Sequence, residues 1–148
     1  MELFKQENII LSVKGTSQKD ILSAFAKQAK DLGYVRDEEE CYHDLVNREL
    51  ESTTGFGNGI AIPHARSTNV MQAAILFGQL EQKVEWSSID GEPVEVCLCL
   101  LVPEGEGNLH LVMLSKLTRK LIYDDFVALL KDAQDTNSIL DAINTALI

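Results

Sequence analysis

A histidine directly after a glycine-rich segment is the feature of this sequence that most clearly indicates chemistry. The segment runs Thr54-Gly55-Phe56-Gly57-Asn58-Gly59-Ile60-Ala61-Ile62-Pro63-His64. Glycine has no Cβ, so its backbone adopts φ > 0 and approaches a ligand closely, and Pro63 is tolerated where a short apolar strand ends. A neutral imidazole acts as a nucleophile, a base or a metal ligand. We therefore expect His64 at a strand terminus, beside exposed backbone N–H groups.

Arg48 occupies an unusual place on the apolar stripe of a predicted helix. It lies three residues after Leu45 and seven after Cys41, and side chains with those offsets share one helix face. Two interpretations stay open. The aliphatic stem lies over apolar surface with the charge in solvent, or the planar guanidinium binds an anion.

His110 presents the same choice in a later helix. Leu114, Leu117 and Leu121 follow it at helical spacing, so it shares their apolar stripe in the first turn. A core histidine is the simpler interpretation of that position alone. The positive end of the helix dipole disfavours imidazolium there and helps to keep the ring neutral. Because His64 and His110 both lie next to glycine-rich loops, a functional role is favoured.

Other reactive side chains do not form a familiar centre. His43 is predicted at the surface, and Cys97 and Cys99 are predicted to be buried thiols, because no second Cys or His pair has metal-ligand spacing. No serine lies in a nucleophile elbow, and the glycines lack the Gly-Lys-Ser/Thr ending of a nucleotide-binding loop. We therefore expect neither a metal nor a cofactor. The pattern favours a protein that is phosphorylated on histidine.

Size and charge narrow the class of protein. The 148 residues carry a formal net charge of −10, which disfavours binding to nucleic acid or to an anionic membrane. The chain fits one domain, residues 1–148. We see no signal peptide and no apolar run long enough to span a bilayer. With three cysteines and no disulfide spacing, a cytoplasmic location is expected.

Periodicity predicts an α/β domain whose sheet is covered by helices. A weak strand is expected within 5–13, and stronger ones at 73–80, 84–86 and 94–102, the last central in the sheet. Helices are predicted from a cap at Thr16 or Ser17 to about 32 and from Asp37 to about 51. Three more are predicted at about 108–123, 124–131 and 136–147.

The chain resembles the enzyme IIA domains of the fructose–mannitol family of the bacterial phosphoenolpyruvate-dependent sugar phosphotransferase system. The resemblance covers nearly the whole chain. Its specific parts are Arg48-Glu49 followed by the segment from Thr54 to His64, and His110-Leu111 at the start of a leucine-rich helix. It implies a single α/β (α+β) domain, a mixed β-sheet flanked by helices on both faces.

The resemblance also implies the partners and the residue roles. His64 would accept a phosphoryl group from phospho-HPr and pass it to an enzyme IIB domain, which serves a membrane IIC permease for fructose, mannitol or a related polyol. His110 would support the phosphoryl group, and Arg48 would bind its oxygens. Backbone amides of Gly57, Asn58 and Gly59 are expected to meet the same charge. Arg66 and Glu49 are further candidates.

Two other functions stay open from the sequence. A regulatory enzyme IIA of the nitrogen-related type keeps the same histidine and signals by phosphorylation-dependent binding to a protein. A domain excised from a transcriptional regulator is disfavoured by the net charge of −10 and by the lack of a helix-turn-helix segment.

Overall fold

The first two α-helices each begin directly after a residue that caps them. The computed structural model describes residues 2–148. Helix α1 (Gln18–Asp31) follows Ser17, whose hydroxyl accepts a hydrogen bond from an amide of the first turn. Helix α2 (Glu38–Glu51) follows Asp37, whose carboxylate does the same. Both caps satisfy amides that have no partner inside the helix, and both agree with the predicted positions.

The C-terminal third of the chain forms three helices. They are α3 (Leu109–Lys120), α4 (Asp124–Asp132) and α5 (Thr136–Ala146). Asn108 precedes α3 as predicted, but its side chain makes no capping hydrogen bond. Helix α3 ends three residues before the predicted limit. None of the helices within residues 2–148 has the length and apolar character that crossing a membrane requires.

The described residues form one six-stranded mixed sheet in the order β1-β5-β6-β3-β2, with β4 also paired to β6. The strands are β1 (Ile9–Val13), β2 (Gly55–Gly57), β3 (Ile60–Ala61), β4 (His64–Ser67), β5 (Ala74–Val84) and β6 (Val94–Pro103). A short 3-10 turn, Gln6–Asn8, precedes β1. Strands β5 and β6 are antiparallel, whereas β3 and β4 run parallel to β6.

Strand β6 is apolar from Val96 to Val102 because both of its faces are buried there. Alternate side chains of a strand point to opposite faces, and one set packs with α1 and α2 while the other packs with α3, α4 and α5. The first set is Cys97, Cys99 and Leu101, and the second is Val96, Leu98 and Leu100. The expected central strand and the helices on both faces are thereby confirmed.

The predicted strand at 84–86 is wrong as a separate element. Strand β5 continues from Ala74 to Val84, with a register shift against β6 between Gln79 and Val84. Its last part is polar and exposed, which resembled a loop in the sequence. The polar stretch lies in this irregularity, between Gln79, which pairs with Val96, and Val84, which pairs with Val94, so the strand continues across it. Trp86 lies just beyond it, buried with 2% of its surface exposed.

Candidate active site

His64 follows a break between two short strands that pair with the same edge of β6. Strands β3 and β4 both pair in parallel with β6, and Ile62 and Pro63 separate them. Proline has no N–H to donate to a sheet ladder, and the Pro63 carbonyl accepts from the Leu100 amide at 2.9 Å. Ile62 thus lies outside both strands, and its carbonyl oxygen is 2.9 Å from Nδ1 of His64.

Two hydrogen bonds fix the tautomer of the His64 ring. A carbonyl oxygen only accepts, so Nδ1 carries the proton and donates to Ile62. The other nitrogen, Nε2, lies 3.0 Å from Nε of Arg48, and a guanidinium only donates. Nε2 therefore holds a lone pair. Arg48 is itself anchored, because its Nη1 donates to the Ser52 carbonyl at 2.9 Å.

The surroundings of His64 favour the neutral ring. Burial is the main cause that lowers the pKa of His64 below its ordinary value of 6.5. The charge of Arg48 and the field of His110 lower the pKa further, and the hydrogen bond to Ile62 opposes them. A desolvated imidazole beside a cation resists protonation. The Nε2 lone pair is consequently available at neutral pH.

We expect the His64 ring to titrate below pH 6.5 in an NMR titration of its imidazole protons. The pKa is lowered, so the ring is neutral above that midpoint and gains a proton only as the pH falls through it. Arg48→Ala should move the midpoint upward, because removing a nearby positive charge makes protonation easier. A midpoint above 6.5 in the wild type, or a downward shift in Arg48→Ala, would contradict this electrostatic account.

His64 and Arg48 face an open cavity of about 430 Å³. Three elements line it: α2, the start of β4 and the start of α3. The lining residues are Asp44, Asn47, Arg48, Glu51, His64, Ala65, Arg66 and His110. The four from α2 are spaced three, four and seven residues apart, which is one face of a helix. The sequence analysis does not identify Asp44, Asn47 and Glu51, although the offsets of Asp44 and Glu51 from Arg48, four and three residues, place them on its helix face.

His110 lies in this cavity, in the first turn of α3. Its Nδ1 is buried and has no hydrogen-bond partner among residues 2–148. Buried polar nitrogens are normally paired, so this unpaired nitrogen beside the cavity is a candidate partner for a group that binds there. The structure thus brings together His64, Arg48 and His110, which are far apart in the sequence.

Arg66 and Glu49 differ in their relation to the cavity. Arg66 lines it, although the side chain is exposed and its Nη2 donates to the Glu104 carbonyl at 3.0 Å. Glu49 is not among the lining residues. Its carboxylate accepts from the backbone amide of Thr54, just before β2, at 3.1 Å. Glu49 therefore reaches the site only through other residues.

The turn formed by Gly57, Asn58 and Gly59 does not reach His64. All three residues have positive φ, at 114°, 56° and 80°, so they reverse the chain between β2 and β3. The Gly59 carbonyl accepts from the Val96 amide at 3.0 Å, whereas His64 is paired with Leu100. Four residues of β6, about 13 Å, lie between these positions. The expected contribution of the three amides is not supported by this geometry.

The remaining singled-out residues lie away from the cavity. His43 is exposed, with 3.8 Å between its Nε2 and the Glu39 carboxylate. Cys97 and Cys99 are fully buried, and burial raises the pKa of both thiols. Thiols of that kind are unreactive. The cavity holds two imidazoles and two guanidinium groups beside the carboxylates of Asp44 and Glu51. The His64 nitrogen next to Arg48 suits a nucleophile that receives an anion.

Comparison with known proteins identifies the family. Residues 2–146 match the profile described as "Phosphoenolpyruvate-dependent sugar phosphotransferase system, EIIA 2". The chain is 32% identical over 139 residues to the PTS system fructose-like EIIA component of Escherichia coli (strain K12), covering 94% of this chain and 93% of that protein. The structure is similar to that of the nitrogen regulatory protein IIA-Ntr from Neisseria meningitidis, with TM-score 0.89 and 27% identity over 95% of this chain and 96% of that one.

A longer relative shows the same unit within a larger protein. The chain is 32% identical over 143 residues, 97% of its length, to the PTS system fructose-specific EIIABC component of Bacillus subtilis (strain 168). It spans only 22% of the length of that relative. The match over residues 2–146 and the shared fold leave one conclusion. This chain belongs to the EIIA 2 family of the phosphoenolpyruvate-dependent sugar phosphotransferase system.

Proposed function

We propose that this domain is a phosphotransferase that carries a phosphoryl group on Nε2 of His64. Phospho-HPr is the donor and an enzyme IIB domain is the acceptor. The observation that carries the proposal is the pair of hydrogen bonds on the ring, Nδ1 to Ile62 and Arg48 to Nε2. Together they leave one lone pair on the nitrogen that faces a guanidinium.

The transfer step needs little more than position and charge. The Nε2 lone pair forms a new N–P bond while the N–P bond to the donor histidine breaks, and that electron pair returns to the donor nitrogen. The transition state is loose and roughly in line. Arg48 leaves the lone pair as phosphorus arrives and donates to the phosphoryl oxygens instead. The proton stays on Nδ1, and its hydrogen bond to the Ile62 carbonyl stabilises the charge that the ring acquires.

The other basic groups have supporting roles in this proposal. The unpaired Nδ1 of His110 donates to a phosphoryl oxygen once the group is in the cavity. Arg66 offers a second guanidinium at the rim, and its exposure makes its contribution smaller than that of Arg48, because solvent screens it. Onward transfer reverses the first step with an enzyme IIB nucleophile in place of the donor.

The name of one relative supports the proposed partners downstream of this domain. The Bacillus relative is called an EIIABC component, which places A, B and C units in one system. We propose that this domain serves an enzyme IIB and, through it, a membrane IIC permease for fructose, mannitol or a related polyol. The three cysteines are free and buried, which suits the reducing cytoplasm. Nucleic acid is not a proposed partner.

The test is intact-mass measurement after incubation with phosphoenolpyruvate, enzyme I and HPr. We expect the wild-type domain to gain one acid-labile phosphoryl group, and ¹⁵N-edited NMR to place it on Nε2. Omitting HPr should prevent the gain. A folded domain that gains no phosphoryl group in the complete mixture, or that gains it on Nδ1, would overturn the proposed relay.

A regulatory role of the nitrogen-related type is the second candidate. The observation that favours it is the similarity to the Neisseria nitrogen regulatory protein, at TM-score 0.89 and 27% identity. The site would accept phosphate in the same way, and the phosphorylation state would control binding to a protein. Transfer from the phosphorylated domain to purified enzyme IIB separates the two. Rapid transfer of the phosphoryl group to the IIB protein supports transport. Retention of the phosphoryl group on this domain supports the regulatory role.

A further inference from the structure

Glu49 lies next to Arg48 in the last turn of α2. Arg48 contacts Nε2 of His64 directly, whereas Glu49 contacts Thr54. Its carboxylate accepts from the Thr54 amide at 3.1 Å and also from the Thr54 hydroxyl. Thr54 is buried, with 9% of its surface exposed. The indole Nε1 of Trp86 donates to the same hydroxyl at 3.3 Å. Thr54 is therefore held from two directions.

Thr54 is connected in turn to the carbonyl that fixes the His64 ring. Its own carbonyl accepts from the Ile62 amide at 3.0 Å, and the Ile62 carbonyl accepts from His64 Nδ1 at 2.9 Å. Ile62 lies in the gap between β3 and β4, where the sheet ladder does not hold it. The contact with Thr54 supplies the missing restraint on this short stretch.

We propose that Glu49 is a positioning residue that acts through Thr54 and Ile62 to keep the His64 proton on Nδ1 and the lone pair on Nε2. Two consecutive residues of α2 then control the two ring nitrogens, Arg48 directly and Glu49 through the backbone. The catalytic consequence of this arrangement rests on the proposed function of His64. The effect of Glu49 on the tautomer of His64 does not depend on that function.

A purely stabilising role for Glu49 makes a different prediction. In that case, the loss of the carboxylate lowers the free energy of unfolding and leaves the ring of the folded protein unchanged. A positioning role changes the ring in the folded state, because the hydrogen bond to one imidazole nitrogen decides which nitrogen carries the proton. The ¹⁵N chemical shifts of the two ring nitrogens distinguish protonated from lone-pair nitrogen.

The experiment compares wild type, Glu49→Ala, Thr54→Val and Thr54→Ser, with Glu40→Ala as the control. Glu40 is exposed in the first turn of α2, so Glu40→Ala removes the same charge from the same helix. At a pH where the ring is neutral, we expect wild type and Glu40→Ala to show a lone pair on Nε2. Glu49→Ala and Thr54→Val should show a mixture of tautomers. Thr54→Ser keeps the hydroxyl and should restore the wild-type shifts.

Phosphorylation by phospho-HPr gives the second readout. We expect the rate to fall about tenfold in Glu49→Ala and Thr54→Val, as for loss of one buried hydrogen bond, and to recover in Thr54→Ser. Wild-type ring shifts and rates in folded Glu49→Ala and Thr54→Val would overturn the positioning role. If Glu49→Ala does not fold, the two Thr54 variants decide. If no chain is phosphorylated, the proposed function fails, and the ring shifts still decide the role of Glu49.

Discussion

Replacing His64 with alanine is expected to abolish phosphorylation of the domain by phospho-HPr. The ring is the group that combines a lone pair, at Nε2, with a guanidinium 3.0 Å away, and alanine leaves no nucleophile for phosphorus. The expected loss is complete rather than partial. Intact mass after incubation with phosphoenolpyruvate, enzyme I and HPr measures it directly.

The matched control for this variant is His43→Ala. His43 lies on helix α2, and it is exposed and outside the cavity, so its loss should leave the phosphoryl gain intact. The fold of His64→Ala should persist, because the half-buried ring is not part of either apolar core. A phosphoryl group on folded His64→Ala would show that another residue is the acceptor.

Arg48→Ala should slow phosphoryl transfer to His64 about 100-fold, the scale of losing one preorganised donor to a developing anion. The variant lacks two interactions of Arg48: its contact with Nε2 of His64 and its pairing with the phosphoryl oxygens. Arg48→Lys should recover only part of the rate, because an ammonium lacks the planar fork of the guanidinium. Rapid-quench measurement of the phosphorylated fraction over time, at a fixed concentration of phospho-HPr, gives both rates.

Arg119→Ala is the control for the loss of an arginine. Arg119 lies on α3, is exposed and does not line the cavity. Its removal changes the net charge as Arg48→Ala does, so a general effect on docking would slow both variants alike. Equal rates for Arg48→Ala and Arg119→Ala, with both chains folded, would remove Arg48 from the proposed mechanism.

Local signals were sufficient to predict most of the fold. The caps at Ser17 and Asp37 depend on side chains within three residues of the helix start, and β6 is recognisable because burial on both faces demands an unbroken apolar run. The polar end of β5 shows the limit of such signals. The strand continues across it because Gln79 and Val84 on either side pair with Val96 and Val94 of β6, and nothing in the adjacent sequence specifies that pairing.

The predicted site divides in the same way. Arg48 and His110 stand out because each occupies an apolar stripe, and the structure brings both to the cavity of His64. The sequence predicts that the turn at Gly57 and Gly59 contributes to this site, because the turn is close to His64 in the sequence. An extended segment carries the chain away from a turn at about 3.3 Å per residue. The turn and His64 are therefore close in the sequence but far apart in the structure. The tautomer of His64 likewise depends on tertiary contacts.

The fluorescence of Trp86 reports on the hydrogen bonds that link Glu49, Thr54 and Trp86, here called the Glu49–Thr54 network. Trp86 is the single tryptophan of the chain, it is buried, and its indole N–H donates to the Thr54 hydroxyl. The ultraviolet fluorescence of tryptophan in the native protein thus comes from one ring, three hydrogen bonds away from His64. Stopped-flow emission can therefore time events in this network without a dye, an isotope or a substitution, alongside chemical measurements of the phosphoryl group.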